Sequence, residues 1–126
     1  MSEAVTVDGF RERLAAHMAG VATLAPLAYV AFGDGGHNAD NSAKSADSSA
    51  KSLNHEILRK PLSAIYQEDL LSATGKGVIS ASEITGGVIS EAALLDSNGN
   101  LVGWKTFAPK FTEYGETYGV TLKLRF

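Results

Sequence analysis

Several polar clusters in this chain have residue types and spacings that could do chemistry. Asp34, His37, Asp40, His55 and Glu56 offer imidazole and carboxylate donors of the kind that hold first-row metals. Their spacing matches no zinc pattern, and three of them border a stretch of small residues that would have to rigidify before fixing a coordination geometry. No metal site is expected. Gly33-Asp34-Gly35-Gly36 could cradle an anion on successive backbone N–H groups. No GxxxxGK[ST] sequence and no following helix accompany it, so it reads as a turn in which Asp34 bonds local backbone. Glu56 and Arg59, three residues apart, and Glu91 complete the set. A glycosidase needs two carboxylates facing each other across a cleft. An inward-facing Glu91 is instead expected to pair with Arg59 and lock two segments together, because a buried charge without a partner is costly.

Other candidates dissolve on inspection of their neighbours. Asp96 to Asn100 alternates carboxylate and amides like a calcium loop, but Leu101 and Phe107 stand where an EF-hand requires glycine and glutamate. Asn98-Gly99 is a hairpin signal instead, since both residue types tolerate positive φ. There is no G-x-S-x-G elbow, and the serines cluster where no base could be held in line. Trp104, Phe107, Phe111, Tyr114 and Tyr118 could present an aromatic surface to sugar or protein, with core and interface packing the expected use. His17 is expected to be a partly buried packing residue. The chain therefore reads as a non-enzyme without cofactor. Gly33, Asp34, Gly35, Glu56, Arg59, Glu91, Asn98 and Gly99 are assigned structural roles.

The elements that must position these residues follow from composition and periodicity. A length of 126 residues fits one domain over 1–126, and 44% hydrophobic residues suffice for one core. The 13 glycines against 3 prolines suit turns between strands. A net charge of −3 without a basic cluster disfavours nucleic acid. The absence of cysteine excludes disulfides and thiol chemistry. The stretch Leu14 to Phe32 superficially resembles a leader or membrane span. It is broken by His17, Gly20, Thr23 and Pro26 and preceded by Glu3, Asp8 and Glu12, so no membrane insertion is expected.

Val7, Phe10, Leu14, Met18 and Val21 recur at helical spacing, which predicts a helix from about Val7 to Gly20 capped by Thr6 or Asp8. A strand is predicted over Leu27 to Phe32. Residues 38–52, NADNSAKSADSSAKS, carry only small and polar side chains and predict a long flexible loop. Pro61 marks an edge strand or bulge within Leu53 to Glu68. Further strands are expected near Val78 to Ser82, Val88 to Leu95 and Leu101 to Phe107, with Gly75-Lys76-Gly77 and Gly86-Gly87 between them. The clearest period of two runs from Tyr118 to Phe126. The predicted architecture is α+β, an N-terminal helix packed on a mostly antiparallel sheet of about six strands.

Three ordered segments resemble the phage tail-collar fibre family. Tyr29 to Gly36, YVAFGDGG, resembles its strand ending in AFGDG, and Leu53 to Leu62, LNHEILRKPL, is similar to its L-x-x-E-x-x-R-x-P segment. Glu91 to Leu101, EAALLDSNGNL, resembles its E-x-G-L-F-D-x-x-G-N-L hairpin, with Ala93 in place of glycine and Leu95 in place of an aromatic. The resemblance covers roughly Thr6 to Val102. It implies a structural or attachment module of a phage or prophage tail, made in the bacterial cytoplasm and carried in the virion. Its implied partners are copies of itself, as a homotrimer, and other tail proteins. Family members often carry this domain ahead of a long fibre, whereas this chain ends soon after it, so attachment is expected over host recognition. The alternative is an adhesin-like module that binds cell-surface glycan through exposed aromatics.

Overall fold

The computed structural model describes residues 4–83, 87–111 and 117–126. The elements in chain order are β1 (Val5–Thr6), α1 (Asp8–Met18), β2 (Leu27–Gly33), β3 (Glu56–Pro61), β4 (Ala64–Tyr66), β5 (Ser72–Ser80), β6 (Val88–Asp96), β7 (Leu101–Phe111) and β8 (Thr117–Arg125). They form a five-stranded sheet, β1-β7-β6-β2-β3, and a three-stranded sheet, β4-β5-β8. Every pairing between them is antiparallel.

The expected α+β architecture is therefore corrected to a mostly β one. The described residues form eight strands in two sheets, with a single α-helix of 11 residues. Two features produce the difference. First, the segment around Pro61 is two strands in different sheets: the chain leaves β3 at Pro61, turns through Leu62 and Ser63, and enters β4. Proline supplies no backbone donor, which suits the end of an edge strand. Second, only the start of the apolar helical stripe finds a surface. Val7 and Phe10 are buried and Leu14 packs half-buried against the core, but Met18 and Val21 are 76% and 79% exposed. Phe10 meets Phe126 at 5.0 Å between ring centroids.

Val7, rather than Thr6 or Asp8, occupies the helix N-cap and makes no side-chain capping bond. The Asp8 N–H donates instead to Ser48 O at 2.7 Å, which satisfies one of the donors that every helix N-terminus leaves open. The expected stop at Gly20 is present, with φ of +74°.

The two sheets face each other across one core. β6 is buried along nearly its whole length, which explains why its small and apolar residues do not alternate with exposed polar ones; its two carboxylates, Glu91 and Asp96, are buried as well. Leu122 and Leu124 of β8 point inward while Thr121 and Arg125 are exposed, as the period of two predicts. The approach of the sheets depends on glycine. A Cβ on Gly77 would lie 2.5 Å from Val30 Cγ1, and one on Gly103 would lie 2.3 Å from Leu124 Cδ2.

The seams between the sheets are bridged by side chains that donate to strand carbonyls. Lys60 Nζ reaches Val78 O at 2.9 Å, Thr6 Oγ1 reaches Arg125 O at 2.9 Å, and Lys105 Nζ reaches Thr121 O at 3.3 Å.

Residues 38–52, expected as a flexible loop, form a strap over β7. Trp104 Nε1 donates to Asp47 O at 3.0 Å and Thr106 Oγ1 to Lys44 O, while Ala46 and Ala50 pack against the core. Small side chains suit this role, because the anchoring groups are the strap's own carbonyls. Asp40 and Asp47 each accept from the N–H and hydroxyl of the serine two residues on, which lowers both carboxyl pKa values. The strap thus makes one local turn twice.

Candidate functional site

The densest polar constellation lies where β2, β6 and the chain entering β3 meet. Its centre is Glu91, which is fully buried. Glu91 Oε2 accepts from Gly35 N at 3.0 Å and His55 N at 2.9 Å, and Oε1 accepts from Asn54 N at 2.8 Å. Register shifts at Phe32/Gly33 in the β2–β3 pair and at Ile89/Glu91 in the β6–β7 pair flank this point. Such bulges re-aim side chains, here sending the carboxylate across Gly33 into the glycine turn.

The expected ion pair between Glu91 and Arg59 is not formed. Arg59 instead makes a two-pronged contact with Glu56, Nε to Oε2 at 3.1 Å and Nη2 to Oε1 at 2.9 Å, which raises its pKa. The physical reason is that three main-chain N–H donors converge where Glu91 ends and satisfy it without a cation. Glu56 and Arg59 therefore lie on the exposed part of β3, and Glu91 works alone inside.

The glycine turn is explained by the same carboxylate. Among its glycines, a Cβ on Gly33 would fall 2.5 Å from Glu91 Oε2 and one on Gly36 would fall 2.2 Å from Ser90 O. Close approach to Glu91 and Ser90 sets the requirement at these positions. The anion-cradling geometry considered for this turn is thus occupied from within: Gly35 N binds Glu91, and Gly36 N donates to Ser90 Oγ at 2.8 Å.

Asp34 turns outward and meets His55 Nδ1 at 2.5 Å, an interaction that raises the His55 pKa, chiefly through the hydrogen bond to Asp34. His37 Nδ1 lies 2.8 Å from Ser90 Oγ. A serine beside a histidine suggests nucleophilic chemistry. Here Ser90 is fully buried and already holds Gly36 N, so the pair ties the turn to β6. Ser90 and His37 carry no motif that sequence reasoning could have used; the signal is the position of Ser90 just before Glu91.

At the far end of β6, Asp96 is buried, and its Oδ1 accepts from Asn98 N and Asn100 N, both at 2.9 Å. Arg13 Nε stands 3.5 Å from Asp96 Oδ2, and Arg13 Nη2 donates to Leu101 O at 2.6 Å. Asn98 and Gly99 form the expected tip, with Gly99 at φ of +83° and Asn98 on the negative-φ side. This is a three-residue loop with glycine in the left-handed position, not the two-residue Asn-Gly turn.

The metal candidates do not converge: Asp34 faces His55, His37 faces Ser90, Asp40 faces Ser42, and Glu56 faces Arg59. Among the described residues no group of three or more such side chains is placed to hold a metal. The aromatics do not form one surface either. Trp104 is buried beneath the strap, Phe107 and Tyr118 pack against the core, and Phe111 is 67% exposed. Tyr114, like Gly86, lies outside the described residues. His17, expected to be partly buried, is exposed and accepts from Leu24 N at 3.2 Å. No helix among the described residues is long and apolar enough to cross a membrane.

No family model, curated protein or solved structure matches this chain. Its functional reading therefore rests on its own residues and their geometry.

Proposed function

We propose that this chain is a structural or attachment module of a phage or prophage tail, acting by protein–protein assembly and not by catalysis. One observation carries the reading. The three segments that resemble the tail-collar fibre family lie far apart in the chain, yet they meet in one hydrogen-bonded knot. Gly35 belongs to the first, Asn54 and His55 to the second, and Glu91, which binds all three of their amides, opens the third. A chance collection of short matches has no reason to supply the reciprocal parts of a single structural device. The arrangement is architectural, since its carboxylate is buried and its donors are main chain.

In this reading the protein is made in the bacterial cytoplasm, joins the virion tail, and associates with copies of itself and with other tail proteins. The glycan-binding alternative loses its largest aromatic, because Trp104 is buried and its indole N–H is already engaged. The test is sedimentation of particles from a strain carrying the gene with an epitope-tagged copy. The tagged protein should band with intact tails and be located on them by immunogold labelling. Tails that assemble and infect normally without it, in preparations where it never bands, would overturn the proposal.

A further inference from the structure

We infer that β4 is a self-association edge through which two copies pair about a two-fold axis, as an antiparallel continuation of the small sheet. The inference rests on the assembly reading above for its biological sense, and on the state of the sheet edges for its geometry.

A sheet edge is a row of unpaired N–H and C=O groups, which proteins ordinarily blunt with charge, proline, shortness or a cover. Among the described residues, three of the four edges carry charge, proline or a covering side chain. β3 carries Glu56, Arg59 and Lys60 and ends in Pro61, and Lys60 reaches over to Val78 O. β1 is two residues long, with Arg11 on Thr6 O and the Thr6 hydroxyl on Arg125 O. β8 has its Thr121 and Arg125 carbonyls capped by Lys105 and Thr6 and carries Lys123 and Arg125.

β4 differs. It is only three residues long, but Ala64, Ile65 and Tyr66 bear no charge, Ile65 and Tyr66 are 52% and 43% exposed, and among the described residues β4 pairs with β5 on one side only. The turn that follows adds Leu70 and Leu71, 89% and 70% exposed, and Phe126 N donates to Leu71 O, bringing the 46% exposed Phe126 beside them. Among the described residues, most of the large exposed apolar side chains therefore gather at this corner.

The occupant is a second copy because the edge is complementary to itself. In an antiparallel pair centred on Ile65, Ile65 faces Ile65 across the axis and Tyr66 faces Ala64, a large side chain beside a small one. The strand brings no like charges into opposition, which would weaken a cross-strand pair. The acidic groups nearest it, Glu68 and Asp69, are neutralised within their own chain by Lys123 at 3.1 and 3.0 Å. A three-fold ring by strand addition needs two different open edges on each copy, whereas a two-fold pair needs one. With β1, β3 and β8 covered, the edges fit a dimer, not the trimer implied by the family resemblance.

Sedimentation velocity of the full chain across a concentration series tests this. The mass should rise from 13.2 kDa toward twice that value, not three times. Ile65→Lys and Ile65→Glu each place like charges opposite one another and should weaken association at least about tenfold, with circular dichroism unchanged because the site is exposed. Mixing the two variants should restore a dimer, which only a pairing that sets residue 65 against itself predicts. A folded monomer at high concentration, a trimer, a dimer indifferent to both substitutions, or no recovery on mixing each overturns the inference. A wild-type monomer that still bands with tails would overturn β4 pairing and leave the tail assignment standing; a β4 dimer that never bands with tails would do the reverse.

Discussion

Replacing Glu91 by glutamine keeps the size of the side chain but sets an amide N–H₂ against backbone donors that now find a carboxylate. The variant should lose about 2 kcal/mol of stability in urea unfolding, and an unchanged midpoint would contradict the role given to the three amides. Gly36→Ala should cost about 3 kcal/mol, since its Cβ would lie 2.2 Å from a backbone carbonyl that cannot swing aside. His55 supplies a pH dependence of definite sign. Its pKa is raised above the ordinary 6.5 by Asp34 and, more weakly, by Glu91, so the folded state binds its proton more tightly than the unfolded chain. That stabilisation is complete below the ordinary value and lost as pH rises through the raised one. The melting-temperature gap between wild type and His55→Gln should therefore be widest below the ordinary value of 6.5 and close as pH rises through the raised one. A gap that grows with pH would refute the assignment.

At the scale of elements, the strap over β7 is the part whose behaviour is easiest to isolate. Trp104 is the only tryptophan and lies under it, so its emission reports whether the strap is seated. Ala46→Asp with Ala50→Asp should shift that emission to the red and raise acrylamide quenching while far-UV dichroism stays that of the paired sheets. Unchanged emission would mean that the strap does not depend on those two contacts. The same segment shows where sequence reasoning stopped. A stretch with no large side chain looks detached, and nothing in its composition tells that its carbonyls are the acceptors for Trp104, Thr106 and Asp8. Strands were legible where alternation or β-branching marked them, as in β8, and the Asn98-Gly99 turn was legible from its residue types. The division of the strands into two sheets was not, because Pro61 signals an interruption but not which sheet the chain joins next. For an inward-facing Glu91 the sequence offers Arg59 as partner, and the actual partners were missed: backbone amides leave no trace in the sequence, whereas Arg59 does.

At the scale of the whole molecule, the seams and the inter-sheet glycines should make the two sheets unfold together. Gly77→Ala should destabilise by about 2 kcal/mol through its clash with Val30, and Val30→Ala in the same chain should recover part of that loss, a non-additivity readable in a double-mutant cycle. Strict additivity would show that the sheets do not press on each other there. The knot at Glu91 also orders events during synthesis. Its bonds join residues 56, 37 and 36 positions apart, and its acceptor is the last of the participants to leave the ribosome. Until β6 emerges, the amides of Gly35, Asn54 and His55 have no carboxylate to meet, and β2 lacks one of its two neighbouring strands. A nascent chain stalled before residue 91 should therefore remain open to proteases.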